Sequence, residues 1–114
     1  MSNNTALTRL QCEGNQLTKL DVSKNTVLFS LDCSGNQMTE LDVSGCTSSL
    51  GALTCTVNKF SAAALNRLFE TLPLKTSGNR GTVYIYGNDG TATCDQSIAT
   101  DKFWTVNTTT NNFF

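Results

Sequence analysis

Three copies of one pattern stand 21 and then 22 residues apart: Leu7-x-x-Leu10-x-Cys12-x-x-Asn15-x-Leu17, Leu28-x-x-Leu31-x-Cys33-x-x-Asn36-x-Met38 and Leu50-x-x-Leu53-x-Cys55-x-x-Asn58-x-Phe60. The stretches between them repeat as well, Leu17-Thr-Lys-Leu20-Asp-Val-Ser23 against Met38-Thr-Glu-Leu41-Asp-Val-Ser44. A repeat of this length dictates architecture, because one unit is too small to bury its own apolar face and must stack on its neighbours. In Leu10-Gln11-Cys12-Glu13 the period-2 alternation sends Leu10 and Cys12 inward, and Gln11 and Glu13 outward. Stacking repeats about 4.8 Å apart builds a parallel sheet that sets like residues on like. The predicted inner columns are Cys12, Cys33, Cys55, Ile85, Val106 and Leu10, Leu31, Leu53, Val83, Trp104.

The last two members of each column come from fainter copies, Val83-x-Ile85-x-x-Asn88 and, 21 residues on, Trp104-x-Val106. The extra length before Val83 predicts a helix: Ser61 is an N-cap, Leu65, Leu68, Phe69 and Leu72 form an apolar stripe, and Pro73 ends it. A second helix is expected from about Asp95 to Lys102. Residues 1–60 thus read as repeats, 61–107 as helix-containing capping repeats and 108–114 as a frayed tail. Ser2-x-Asn4-Thr5 matches Ser23-x-Asn25-Thr26, so Met1 is expected to interrupt an upstream repeat of a longer array. Thr and Asn together make 30 of 114 residues, which suits turns and disfavours a helix bundle.

The Asn column (Asn15, Asn36, Asn58, Asn88) falls where the chain leaves each strand. An inward amide can donate to one repeat and accept from another, avoiding about 1–3 kcal/mol per stranded backbone group. Cys12, Cys33 and Cys55 act there as small apolar side chains. In-register parallel side chains make poor disulfide geometry, and a line of thiols cannot converge on zinc.

These residues resemble the leucine-rich repeats of bacterial surface proteins, notably the internalin-like group in which Cys replaces an inward Leu to form a cysteine ladder. The form L-x-x-L-x-C-x-x-N-x-L-x-x-L-D-V-S fits Leu7 to Ser23 and Leu28 to Ser44, and the resemblance covers about residues 2–60. It implies an α/β fold: a right-handed leucine-rich-repeat solenoid with a parallel β-sheet and helical C-terminal cap repeats. It also implies a secreted or cell-surface adhesion module that binds another protein and carries no catalytic residues. Two departures are visible: Cys46 stands where Asn25 stands, and the pattern thins after Phe60.

Composition narrows the chemistry. Eight basic and nine acidic residues leave a net charge of −1, without the dense cationic field that sequence-blind nucleic-acid binding needs. No apolar run approaches a bilayer span, so no membrane insertion is expected. The absence of histidine removes the commonest general base, and no nucleophilic dyad can be assembled around Cys46 or Cys94. A helix start at Asp95 would lower the Cys94 thiol pKa, and a Cys46–Cys94 bridge is an alternative to two inert thiols. Asp21-Val22-Ser23-x-Asn25 has the start of a calcium loop but lacks its glycine turn and distal Glu, so Asp21 and Asp42 read as outward carboxylates beside turns. No cofactor, metal or enzymatic activity is expected, and the chain is expected to be a monomer.

Binding then falls to the outward positions. Tyr84 and Tyr86 emerge on one face, with Phe103 or Thr105 beside them, and offer rigid area with a polar tip. Asp32, Arg9, Glu13 and Thr54 are the other candidates. The alternatives are that the tyrosines pack on each other or on the cap, that the chain is purely a structural cap, or that the tyrosines with Asp32 bind a glycan.

Overall fold

The computed structural model describes residues 8–18, 20, 22, 26–46 and 50–108. Asp21, proposed above as one of two outward carboxylates, the Ser2–Thr5 segment and most of the tail lie outside these residues.

The fold is α/β. Five short strands, β1 (Arg9–Gln11), β2 (Ser30–Asp32), β3 (Ala52–Thr54), β4 (Gly81–Tyr84) and β5 (Trp104–Asn107), form one parallel sheet in chain order. Helix α1 (Ala62–Thr71) lies between β3 and β4, and α2 (Ser97–Thr100) between β4 and β5. Each strand is centred on an apolar residue that faces the core: Leu10, Leu31, Leu53 and Val83 pair in sequence across β1 to β4 and are all buried. Strands with inward Leu and outward polar residues have only one register that keeps the leucines dry. The sheet runs through both residues 8–60 and residues 61–108, so the two share one core.

Helix α1 has the ends its sequence prescribes. The Ser61 hydroxyl accepts from Ala64 N–H at 3.2 Å, and Leu65, Leu68 and Phe69 are buried beneath it. At its C-terminus Lys102 Nζ donates to the carbonyls of Glu70 (2.5 Å) and Leu72 (3.0 Å), a cation placed on the negative end of the helix. Helix α2 is shorter than expected. From Lys102 on, the backbone bonds reach back three residues, Lys102 N–H to Ala99 O and Phe103 N–H to Thr100 O, which tightens the chain into β5.

The last strand also corrects the predicted register. Val106, not Trp104, lies beside Val83, and Trp104 pairs with Gly81. The reason is volume. A β-carbon at Gly81 would sit 2.6 Å from the indole, so only glycine leaves room for the ring there. The fully buried Trp104 donates from Nε1 to the Pro73 carbonyl at 2.7 Å. The column after Cys55 therefore ends in Ile85 without Val106, and Tyr84 is flanked by Asn107 rather than by Thr105 or Phe103.

Candidate functional site

The strand ends are held by side chains that bond each repeat to the one before it. Asn36 Nδ2 donates to the carbonyls of Cys12 (3.0 Å), Cys33 (2.9 Å) and Ser34 (3.2 Å), while its Oδ1 accepts from Leu17 N–H at 3.1 Å. Asn58 does the same one repeat later, on Cys33, Cys55 and Thr56 carbonyls and on Met38 N–H. Asn88 spans the longer interval, from Cys55 and Ile85 carbonyls to Phe60 N–H. Asn15 bonds only locally among the described residues, to Cys12 and Glu13 carbonyls, and is exposed. The amides of Asn36, Asn58 and Asn88, so employed, have nothing left to offer a ligand.

The thiols are equally committed. Cys12, Cys33 and Cys55 aim Sγ at the carbonyls of Asp32, Thr54 and Tyr84 on the next strand, at 3.4, 3.5 and 3.4 Å. Burial raises the pKa of all three; for Cys55, wholly enclosed, to about 12. Cys46 and Cys94 are not bridged: all five cysteines are free. Burial is again the leading cause that holds the Cys46 and Cys94 thiols above their ordinary value. The predicted lowering at Cys94 is therefore reversed. Its supposed helix begins only at Ser97 and has four residues, too few to build a dipole, while desolvation opposes the thiolate. Asp42, exposed, accepts from Ser44 N–H at 2.8 Å; hydrogen bonds from the Ser44 side chain and backbone keep its carboxyl below the usual range. Among the described residues no three His, Cys, Asp or Glu side chains gather to hold a metal, and no helix is long and apolar enough to cross a membrane.

The outward face carries three rows across the sheet. The first is Arg9, Ser30, Ala52, Thr82 and Thr105; the second is Gln11, Asp32, Thr54, Tyr84 and Asn107. The third continues just beyond the strands as Glu13, Ser34, Thr56 and Tyr86. Asp32 shares its row with Tyr84 but stands two strands away, about 10 Å between backbones, with Thr54 between them. Its carboxylate accepts from Ser34 N–H (3.1 Å) and Ser34 Oγ–H (2.7 Å), which fixes its direction. Arg9 and Glu13, both exposed, lie on the β1 side, three strands or about 14 Å from the tyrosines. The candidates therefore form a strip and do not converge on one point. Tyr84 is half-buried and Tyr86 is 38 % exposed.

Val57, which the sequence reading passed over, completes the tyrosine end of this strip. It is 52 % exposed, its N–H donates to Tyr86 O at 2.8 Å, and its φ of 54° is left-handed. The turn before each column Asn needs that conformation, and the other repeats meet it with Gly14 (φ 73°), Gly35 (φ 68°) and Gly87 (φ 81°). A β-branched residue there is strained. The signal was present in the sequence as a glycine column with one member replaced. Comparison of the chain with protein-family models, with curated proteins and with solved structures found no match in any of the three.

Proposed function

We propose that the chain is part of a right-handed leucine-rich-repeat solenoid of the bacterial surface type, acting without catalysis as a secreted or cell-surface module that recognises another protein. Recognition centres on Tyr86, Tyr84 and Val57. The observation that carries this reading is the contrast along the outer strip: the first two repeats present Arg, Gln, Glu, Ser and Asp there, whereas the third adds exposed Val57 and the fourth Tyr84 and Tyr86 beside it. Aromatic anchors on a rigid element bury much area for few frozen rotors, the usual make-up of a protein-binding hot spot.

The test is a binding assay of the full chain against surface-protein extracts, repeated with Tyr84→Ala/Tyr86→Ala. Loss of both anchors is expected to weaken the captured interaction about thirtyfold, equivalent to about 2 kcal/mol, with an unchanged circular dichroism spectrum. Normal binding by the double variant would move the recognition surface elsewhere.

A second reading, a structural cap for a longer array, is favoured by a different observation. Lys102 and Trp104 clasp the end of α1 through the Glu70, Leu72 and Pro73 carbonyls. If the chain captures nothing from such extracts while a longer chain containing it does, this reading stands in place of the first.

A further inference from the structure

We infer that Arg80, held over the Phe103 ring at the start of β4, is a carboxylate receptor, and that the partner meets it with an acidic side chain of a protein segment. The inference rests on the tyrosine-centred reading above and extends it along β4. Arg80, Thr82, Tyr84 and Tyr86 alternate with buried Gly81, Val83 and Ile85, so the four share the outward face. Two residues of strand advance about 6.6 Å, which sets Arg80 about 13 Å from Tyr84 and about 20 Å from Tyr86.

Arg80 is exposed, and its guanidinium carbon lies 5.8 Å from the Phe103 ring centroid. The backbone of Phe103 is pinned on both sides: its N–H donates to Thr100 O at 3.0 Å and its carbonyl accepts from Gly81 N–H at 3.2 Å. Its φ of 65° is left-handed. Glycine would meet that φ without strain; what phenylalanine adds is the ring under Arg80. A π face holds a cation while taking up little of the hydrogen-bond capacity of its five N–H groups. Among the described residues the Arg80 side chain makes no hydrogen bond or ion pair, and exposed Asp101, two residues before Phe103, forms none with it. The only acidic side chain outside the described residues is Asp21, which belongs to the first repeat.

Charge selects the occupant and its direction. One guanidinium offers one positive charge and paired N–H donors, the complement of a single carboxylate. Glu13 and Asp32 at the β1–β2 end of the strip repel an acidic segment, so the segment lies along β4 rather than across the strands. An extended segment advances about 3.3 Å per residue, so its Asp or Glu stands about four to six residues from the apolar side chain that covers the tyrosines.

The experiment selects binders for the full chain from a displayed library of random dodecapeptides at low salt. The selected peptides are expected to carry Asp or Glu at that spacing from an aromatic or large aliphatic residue. For the tightest of them, Arg80→Ala weakens binding at least about tenfold, as does changing the peptide's acidic residue to the amide. Arg80→Glu paired with Lys in place of the peptide's acid restores affinity, which a merely structural Arg80 would not do. Arg80→Gln stands in for Arg80→Ala if the latter lowers the melting temperature. Peptides weakened by Tyr84→Ala/Tyr86→Ala but by neither Arg80 variant overturn the receptor and leave the tyrosine reading standing. Peptides weakened by none of these variants overturn both. A library that yields no binder overturns the receptor. So does competition by inorganic phosphate but not by acetate, which would assign Arg80 to a phosphorylated partner.

Discussion

Residues 8–60 and residues 61–108 share one sheet but hold their register by different means. In the first region strand follows strand at offsets of 21 and 22 residues, and the cross-strand bonds come from small, repeated groups: the Asn36 and Asn58 amides and the Cys12 and Cys33 thiols. In the second the offsets widen to 30 and 23; Asn88 and the Cys55 thiol still tie β3 to β4, but single large side chains set the position of β5. Trp104 fills the space over Gly81 and Lys102 binds the end of α1. A repeated small bond is redundant, whereas a single large side chain is not. Damage to the second region should therefore cost more per substitution than damage to the first.

The strongest break of that comparison is Trp104→Ala. It empties a fully buried site and strands the Pro73 carbonyl, with an expected loss of about 3–5 kcal/mol in urea unfolding. A cost under about 1 kcal/mol would mean that β5 is held by something other than the indole.

Titration of the Cys55 thiol gives the next largest effect. Its folded pKa of about 12 lies above the ordinary value of 9.0. The stabilising contribution is thus fully present below pH 9 and is lost as pH rises from there towards 12, because the unfolded chain releases the proton first. A raised thiol contributes a slope of at most about 1.4 kcal/mol per pH unit in that window. Cys55→Ala lowers stability at pH 7 but should flatten the decline above pH 9, measured as urea midpoints across the pH series. An equally steep decline in the variant would place the linkage on other groups.

Val57→Gly has the smallest expected effect and the opposite sign. It relieves a left-handed valine, worth about 1–3 kcal/mol, against the greater freedom of unfolded glycine, for a net gain of about 1 kcal/mol in thermal unfolding. Gly35→Val at the equivalent turn should destabilise. If Val57→Gly were also destabilising, the valine would owe its place to packing against Gly87 and Tyr86.

These contrasts also mark how far the chain could be read from its residues. The centres of β1 to β4 were legible because apolar-x-apolar spacing carries strand parity, and α1 because Ser61 and Pro73 bracket a helical stripe. The β5 register was not, since Trp104-x-Val106 has the same pattern as Val83-x-Ile85 and a pattern carries no volume. The outward direction of Tyr84 and Tyr86 was readable, but their unequal exposure depends on neighbours that alternation does not rank. Sequence offsets group Arg9 and Glu13 with the tyrosines because they hide the two strands, β2 and β3, that lie between them. Val57 was missed because a missing glycine in a column becomes meaningful only once the turn is known to need positive φ.

The central claim is that Asn36, Asn58 and Asn88 each tie their repeat to the preceding one. It is tested most directly by urea unfolding of Asn15→Ala and Asn36→Ala side by side. Asn36 bonds two strands, so its loss should cost about 1–3 kcal/mol; Asn15 is exposed with local bonds, so its loss should cost less than about 0.5 kcal/mol. Equal costs, or a larger one at Asn15, would contradict the claim.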